Sequence, residues 1–154
     1  NGHPRAISNI TISPKTPDGV VITLNQRDAA WPDLVRVDLA TGSRTMVQRN
    51  GATAATRFSR FVLDRDNRLR LGLRTQANGS VDVASRASDG AWSALITIPF
   101  EDALLSAPLA FEASGDSFLM LDSSGRDRAV LARVDVRTGA KTVLGESARA
   151  DVTD

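Results

Sequence analysis

The side chains that carry most enzyme chemistry are scarce in this sequence of 154 residues. Cysteine is absent, and the single histidine, His3, stands near the first residue with no second histidine or cysteine to complete a metal site or a catalytic pair. No Gly-x-Ser-x-Gly nucleophile elbow is present. We therefore expect no complete catalytic site in this chain, and we assign it no catalytic residue, no metal and no cofactor.

Two clusters of oxygen-bearing side chains have some resemblance to cation-binding loops. They comprise Asp64, Asp66 and Asn67, and Asp122, Ser124 and Asp127. The first cluster lacks the glycine and the bidentate glutamate that complete an EF-hand loop. The second is explained by a turn that Asx and serine side chains stabilise. We interpret both clusters as turn residues.

The sequence contains repeated copies of one segment, and these repeats would form the framework that positions any site. The segments 34–47 (LVRVDLATGSRTMV) and 131–144 (LARVDVRTGAKTVL) are identical at seven of fourteen positions. A weaker copy at 81–98 places Gly90 at the turn held by Gly42 and Gly139, so these glycines are 48 and 49 residues apart. Turn residues at 18–19, 66–67 and 115–116 keep the same period. Two independent sets of turns thus indicate three structural repeats.

Each repeat has the pattern of short strands bounded by turn residues. In the middle copy, Leu69, Leu71 and Leu73 alternate with arginines, and this period of two is typical of a strand. Asp-x-x-Thr-Gly and Asp-Gly sequences supply the side chains and glycines of tight hairpins. The predicted strands are 7–13, 19–25, 34–39, 44–49, 57–64, 68–75, 80–87, 92–98, 107–113, 117–122, 129–136 and 141–146, with one briefly helical segment at 99–106.

The sequence therefore predicts an all-β fold, with three consecutive four-stranded antiparallel blades of a partial β-propeller at 7–49, 57–98 and 107–146. Propellers close with about four to eight blades, so three blades leave two faces uncovered. We expect a longer chain whose remaining blades complete the ring. The alternative is a three-blade chain that closes by homo-oligomerisation.

Composition narrows the classes of partner. Nineteen basic residues are balanced by 18 acidic ones, so no large field of one sign favours nucleic acid. A hydrophobic content of 42% is sufficient for a globular core, and no stretch is apolar enough to predict a membrane span. The compartment stays open between the cytoplasm and the periplasm or exterior, because the absence of cysteine fits either redox environment.

The loops differ between the two ends of the predicted blades. The first and third turns of each blade are tight and repetitive, whereas the second turns and the links between blades are longer and less similar. Variable loops on one face of a rigid repeat are where binding usually occurs. We predict a ligand-binding or domain-interface surface there, formed by Arg27, Asp28, Trp31, Asp33, Glu101, Asp102, Arg126 and Asp127.

Three stretches resemble the propellers of bacterial serine peptidases of the prolyl oligopeptidase family, close to the acylaminoacyl-peptidase-like branch. They are NQRDAAWPDLVRVDLATG (25–42), PFEDALLSAPLAF (99–111) and LDSSGRDRAVLARVDVRTG (121–139). The similarity extends over nearly the whole chain. Each stretch alone is moderately specific, and their order and spacing carry the resemblance.

The resemblance implies a non-catalytic role. In that family, a propeller caps an α/β-hydrolase domain with a Ser-Asp-His triad and filters the peptides that reach the serine. No triad residue can be carried over to this sequence, so the expected partners are a hydrolase domain and further blades of the same polypeptide, and a peptide substrate. A stand-alone binding propeller of the TolB-like or quinoprotein-like type is the alternative.

Overall fold

A computed structural model describes residues 7–51, 53, 56–147 and 152, so His3 lies outside the described residues. Twelve strands form three four-stranded sheets. The first contains β1 (Ile7–Thr11), β2 (Gly19–Leu24), β3 (Asp33–Asp38) and β4 (Arg44–Gln48). The second contains β5 (Arg60–Leu63), β6 (Leu69–Thr75), β7 (Val81–Arg86) and β8 (Trp92–Ile98). The third contains β9 (Ala107–Phe111), β10 (Ser117–Asp122), β11 (Val130–Asp135) and β12 (Lys141–Gly145). The predicted all-β fold with three antiparallel blades is confirmed.

Each sheet is an antiparallel meander in which strands follow one another in chain order. The three sheets also share an irregularity between their last two strands. The register shifts directly before Val35, Ala84 and Ala132, which occupy the same place in β3, β7 and β11. This shared shift aligns the three blades residue by residue, including the middle one, whose sequence has diverged most.

In both Asp-x-x-Thr-Gly turns, one carboxylate oxygen of the aspartate makes the same hydrogen bonds to the threonine. Asp38 Oδ1 accepts hydrogen bonds from the N–H of Thr41 at 2.8 Å and its hydroxyl at 2.8 Å, and Asp135 Oδ1 accepts the same pair from Thr138 at 2.7 and 2.8 Å. The threonine hydroxyl, followed by the backbone N–H groups, lowers the pKa of both aspartates. Gly42 supplies the positive φ of 70° that the turn needs. The motif is therefore a structural device of the hairpin.

Apolar side chains fill the spaces between successive sheets. Leu71, Leu73 and Val83 of the second sheet pack against Phe118 and Met120 of the third. Val21 and Leu34 of the first sheet pack against Leu69 of the second, with Phe61 and Trp92 at the edge of the cluster. Burial of these faces supplies the main stabilising free energy of the chain, at about 25 cal/mol per Å².

The first strand of each sheet lies toward a common axis. Residues at the ends of β1, β5 and β9 line one concavity of about 780 Å³, and they include Ile12, Lys15, Leu63, Leu109 and Phe111. This convergence of three edge strands is the arrangement of the inner strands around a propeller channel.

Polar contacts tie the blades together at the end of the sheets that carries the tight hairpins, which we call the turn face. Lys15 Nζ lies 3.0 Å from Asp66 Oδ1, and Asn67 Nδ2 donates to Thr16 Oγ1 at 2.6 Å. Between the second and third blades, Arg70 Nη2 donates to the carbonyl of Gly115 at 2.9 Å. Neighbouring first turns are thus joined directly.

Three predicted strand limits and the predicted helical segment need correction. Strand β9 ends at Phe111 rather than at 113. Strand β1 ends at Thr11 rather than at 13, because Ser13 donates its hydroxyl to the carbonyl of Arg65 in the next blade. Strand β5 begins at Arg60 rather than at 57, because the N–H of Phe58 binds the side chain of Asn50 instead of a neighbouring strand. Between 99 and 106, only Phe100–Asp102 is helical, as a 3-10 turn.

The middle blade makes room for a buried aromatic ring. Phe58 is 1% exposed, and its ring centroid lies 4.4 Å from that of Trp92 and 5.7 Å from that of Phe61. A Cβ at Gly72 would lie 2.6 Å from Phe58 Cδ1, which is closer than van der Waals contact allows. Gly72 is therefore required by packing.

We expect Gly72→Ala to lower the free energy of unfolding by about 1–3 kcal/mol, because the added methyl group forces Phe58 out of its site. Urea unfolding followed by tryptophan fluorescence measures this change. Gly145→Ala is the matched control, since a Cβ there meets no atom within 4 Å, and we expect a change within about 0.5 kcal/mol. Equal stability of the two variants would contradict the packing role of Gly72.

Candidate functional site

The predicted site residues lie at the end of the sheets opposite the turn face, which we call the link face. It consists of the β2–β3, β6–β7 and β10–β11 loops and the two links between sheets. Each link contacts the loop of an adjoining blade. A Cβ at Gly51, in the first link, would lie 3.0 Å from Trp31 in the β2–β3 loop. A Cβ at Gly79 would lie 2.4 Å from the ring of Phe100 in the second link. The link face is a packed surface.

Two of the predicted residues, Arg27 and Asp33, form an ion pair with two hydrogen bonds. Arg27 Nε donates to Asp33 Oδ2 at 3.0 Å, and Arg27 Nη2 donates to Oδ1 at 2.8 Å. Asp33 is 5% exposed, and its Oδ1 also accepts the N–H of Asn50 at 2.7 Å. Arg27 Nη2 further donates to the carbonyl of Asn50. The pair therefore clamps the first link onto the β2–β3 loop.

Opposing effects set the charge state of this pair. Burial alone would raise the pKa of Asp33, but the hydrogen bonds from Arg27 and from the N–H of Asn50, with the positive charge of Arg27, outweigh burial and lower that pKa. The hydrogen bond to Asp33 raises the pKa of Arg27 in turn. Asp33 is thus held as a carboxylate and does not have the raised pKa of a general acid.

Asn50 is the centre of the clamp, although it is not among the predicted site residues. Its side chain is almost completely buried, and its amide Nδ2 donates to the carbonyls of Pro32 at 3.0 Å and Phe58 at 2.9 Å. Its Oδ1 accepts the N–H of Phe58 at 2.9 Å. One side chain thus satisfies three backbone groups, where the chain passes from the first sheet to the second. The weak sequence signal for this role is Gly51, which directly follows Asn50 and has a positive φ of 79°.

Asp28 and Trp31 shape the β2–β3 loop. Asp28 Oδ1 accepts the N–H of Ala30 at 2.9 Å and that of Trp31 at 3.2 Å. Trp31 is half-buried, and the guanidinium carbon of Arg57 lies 5.7 Å from its ring centroid. Trp31 is therefore within cation–π distance of Arg57 and keeps part of its side chain exposed, whereas Asp28 is engaged in the turn.

The second link is anchored by a different set of side chains. Ser123 Oγ donates to Asp102 Oδ1 at 2.9 Å, and the N–H of Ser123 donates to Ser106 Oγ at 2.9 Å. Asp102, Ser106 and Ser123 are all buried. Asp102 thus joins the 3-10 turn to the β10–β11 loop, as Asn50 joins the first link to the β2–β3 loop.

The remaining predicted residues, Glu101, Arg126 and Asp127, are exposed around this second anchor. Arg126 and Asp127 line a concavity of about 300 Å³ together with Val130 and Glu146. Arg27 and Asp33 line a separate concavity of about 420 Å³ beside the first sheet. The structure therefore divides the eight residues into two groups, one at each link, and engages Arg27, Asp33 and Asp102 in internal contacts.

Three apolar side chains on the link face were not predicted. Leu104 is 96% exposed, and Phe100 and Leu105 are also largely exposed, all within the second link. Buried Asp102 holds this segment from below, so the apolar groups project from a fixed base. The sequence signal that could have identified them is FEDALL at 100–105, where apolar residues flank an acidic pair within a predicted link between blades.

The exposed charged side chains of the link face are suited to non-covalent binding. Among the described residues, no group of three His, Cys, Asp or Glu side chains is close enough to hold a metal ion. Exposed Glu101, Arg126 and Asp127 can form charge-assisted hydrogen bonds. The described residues include no helix with the length and apolar character required to span a bilayer.

Comparisons with known proteins agree with this architecture. No protein-family profile matches the chain. The chain is 39% identical over 141 residues to dipeptidyl aminopeptidase BIII of Pseudoxanthomonas mexicana, covering 92% of this chain and 20% of that protein. The chain thus spans about a fifth of the length of this homologous peptidase. The crystal structure of TolB from Acinetobacter baumannii superposes on 94% of the chain, and on 33% of TolB, with a TM-score of 0.60 at 14% identity, which supports the propeller fold.

Replacement of Asn50 by alanine should lower the free energy of unfolding by about 1–3 kcal/mol, because it leaves buried backbone groups of Pro32 and Phe58 without partners. Chemical denaturation provides the measurement. Asn9→Ala, at an exposed position of β1, is the control and should change stability by no more than about 0.5 kcal/mol. A fully stable N50A variant would show that the clamp is not needed.

The Arg27–Asp33 pair also predicts a pH dependence. Because the folded state lowers the pKa of Asp33, its contribution is fully present above the ordinary value of about 3.9 and is lost as the pH falls through the lower folded pKa. Asp33→Asn should therefore be less stable than wild type at pH 7 and lose less stability on acidification. Urea unfolding at several pH values tests this.

The control for this experiment is Asp89→Asn, at an exposed turn, which keeps the Arg27–Asp33 pair. Its stability should fall with acid in parallel with that of wild type. If D33N and D89N have the same pH dependence, the ion pair does not contribute as we expect.

Proposed function

We propose that this chain is the non-catalytic propeller segment of a serine peptidase of the prolyl oligopeptidase family, with dipeptidyl aminopeptidase activity located in an α/β-hydrolase domain of the same polypeptide. In this role the propeller docks against the hydrolase domain and restricts the peptides that reach it. The chain itself performs no bond cleavage.

The observation that carries the proposal is the 39% identity to dipeptidyl aminopeptidase BIII over 92% of the chain. The alignment spans 141 residues, so it extends well beyond the Asp-x-x-Thr-Gly hairpins that many propellers share. The lack of a nucleophile elbow is consistent with a segment whose work is binding. The substrate class follows from the name of the relative, and we propose peptides with a free N-terminus.

The link face supports the docking part of the proposal. Two internal anchors, at Asn50 and at Asp102, fix its loops, so a partner domain meets a surface that loses little conformational entropy on binding. Exposed Phe100, Leu104 and Leu105 supply apolar contacts, and the nearby charged groups supply a polar rim. A preformed apolar centre with a charged rim is typical of protein interfaces.

The axial concavity supports the filtering part. The inner strands β1, β5 and β9 line about 780 Å³ of open space, which a complete ring of blades would convert into a passage. A passage of fixed width admits flexible short peptides and excludes folded chains. Filtering by size thus requires no catalytic group in the propeller.

The proposal is tested in the longer polypeptide that contains this chain. Leu104→Asp should weaken docking, and we expect the ratio of kcat/KM for a long peptide to that for a dipeptidyl chromogenic substrate to rise about tenfold, equivalent to about 1.4 kcal/mol. Leu39→Asp, at a similarly apolar position on the turn face, is the control and should leave the ratio unchanged.

Two results would count against the proposal. One is a longer polypeptide that releases no dipeptides from unmodified peptides. The other is an unchanged length preference in L104D, together with unchanged resistance of the domain boundary to limited proteolysis.

A further inference from the structure

Two Asn-Gly pairs lie in the described part of the chain, and their surroundings differ. Asn50–Gly51 belongs to the first link, and Asn78–Gly79 belongs to the β6–β7 loop of the link face. An asparagine before glycine is open to loss of its side-chain amide, because glycine has no side chain to shield its backbone nitrogen. A third pair, Asn1–Gly2, lies outside the described residues. The two described pairs therefore place the same chemistry in two environments.

The reaction at Asn78 needs only water as a second reactant. The backbone nitrogen of Gly79 gives up its proton to the solvent and attacks Cγ of Asn78, so that an N–Cγ bond forms and negative charge develops on Oδ1. The Cγ–Nδ2 bond then breaks, and Nδ2 takes a proton from the solvent and leaves as ammonia. Water opens the resulting succinimide at either carbonyl, which gives aspartate or isoaspartate.

The β6–β7 loop places two donors at the oxygen that becomes charged. Asn78 Oδ1 accepts the N–H of Ser80 at 3.1 Å and the hydroxyl of Ser80 at 2.8 Å. Ser80 is buried and thus fixed in position, whereas Asn78 is exposed, so water reaches its amide and ammonia is free to leave. Preformed donors at a developing oxyanion stabilise the tetrahedral intermediate.

The side chain of Asn50 has the opposite environment. It is 1% exposed, and its Nδ2 donates to the carbonyls of Pro32 at 3.0 Å and Phe58 at 2.9 Å. Departure of Nδ2 would leave both buried carbonyls without their donor, and burial keeps water from the amide carbon. The fold therefore protects the Asn50 amide.

The two glycine nitrogens start from similar positions. The N–H of Gly79 donates to the carbonyl of Gln76 at 2.9 Å, and the N–H of Gly51 donates to that of Thr56 at 3.2 Å. Each nitrogen must leave one hydrogen bond before it attacks. The difference between the pairs thus lies in the asparagine side chains.

We propose that Asn78 is a site of spontaneous deamidation promoted by Ser80, and that the modification changes the link face through Phe100. Isoaspartate lengthens the main chain at residue 78 by one carbon and shifts Gly79. A Cβ at Gly79 would lie 2.4 Å from Phe100 Cδ2, so the ring leaves no room for this shift and must move. The inference rests on the contacts of the β6–β7 loop and is independent of the proposed function.

Peptide mapping by mass spectrometry tests the site in the folded protein after storage at mildly alkaline pH. Brief tryptic digestion at mildly acidic pH yields the peptide 75–86, which contains Asn78, and the peptide 50–57, which contains Asn50. We expect deamidation of 75–86 to be about tenfold faster than that of 50–57, or more. In urea, where neither environment exists, the two peptides should be modified at similar rates.

Ser80→Ala tests the role of the hydroxyl. We expect the folded variant to deamidate Asn78 about three- to tenfold more slowly than wild type, because one of the two donors to Oδ1 is lost. In urea the variant and wild type should react equally. Peptide 50–57 of the same sample is the control for folding, since Asn50 is modified rapidly only when the chain unfolds. If S80A unfolds, Ser80→Cys replaces it, because a thiol has nearly the same shape and is a weak donor.

Hydrogen exchange tests the effect on Phe100. The modified protein is separated from the unmodified one by its added negative charge on ion exchange. We expect the amides of 99–106 to exchange faster in the modified protein, since this segment begins beside the displaced ring.

Three outcomes would overturn the proposal. In the folded protein, deamidation of Asn78 no faster than that of Asn50 excludes the site. A folded S80A or S80C variant that reacts as fast as wild type excludes promotion by Ser80. Equal exchange of 99–106 in the modified and unmodified proteins excludes the effect on the link face.

Discussion

The face-to-face packing of sheets is the constraint on which this structure depends. Each four-stranded sheet has apolar residues on both sides, so no blade can be stable in water alone and each needs a neighbour on either side. The internal cores, around Leu71 and Met120 and around Leu34 and Leu69, meet this requirement between successive sheets. The need for face-to-face packing also determines where the loops and the Asn50 and Asp102 anchors lie, because the chain must pass from one sheet to the next without disturbing the packing.

The two links meet that demand with different chemistry. The first link depends on the amide of Asn50 and the ion pair of Arg27 with buried Asp33, whereas the second depends on Asp102 and two serines. Both sets of hydrogen bonds are compatible with the packing of the blades, since each provides partners for the backbone and carboxylate groups that the link buries. The polar residues of the link face are thus divided between those that hold the loops and those, such as Glu101 and Arg126, that stay available to a partner.

The repeat made the fold predictable from the sequence. Asp38 and Asp135 fix the same hairpin in two blades, and the period carried the assignment across the diverged middle blade, where Gly90 marks the turn. The site was harder to predict from the sequence, because a charged residue in a variable segment looks the same in the sequence whether its side chain binds a partner or an internal group. Asp33, at the start of β3, and Asp102, in the 3-10 turn, illustrate this, since both are buried acidic residues whose partners Asn50 and Ser123 are distant in the sequence. The exposed side chains of Leu104 and Phe100 also required the fold to be recognised as surface groups.

Gly72 makes the contact surface of the second blade different from those of the other two blades. It occupies the position that Ile22 holds in the first blade and Met120 in the third, and the space it leaves is filled by Phe58. Blades that arose by duplication are interchangeable only while their contact surfaces remain alike. The larger side chains of Ile22 and Met120 leave no such space in the other two blades, so the ring of Phe58 makes the second blade different from both of them. In a propeller of uniform blades, a blade can be duplicated or exchanged without changing the contacts between blades. At this junction, such an exchange would require repacking around Phe58.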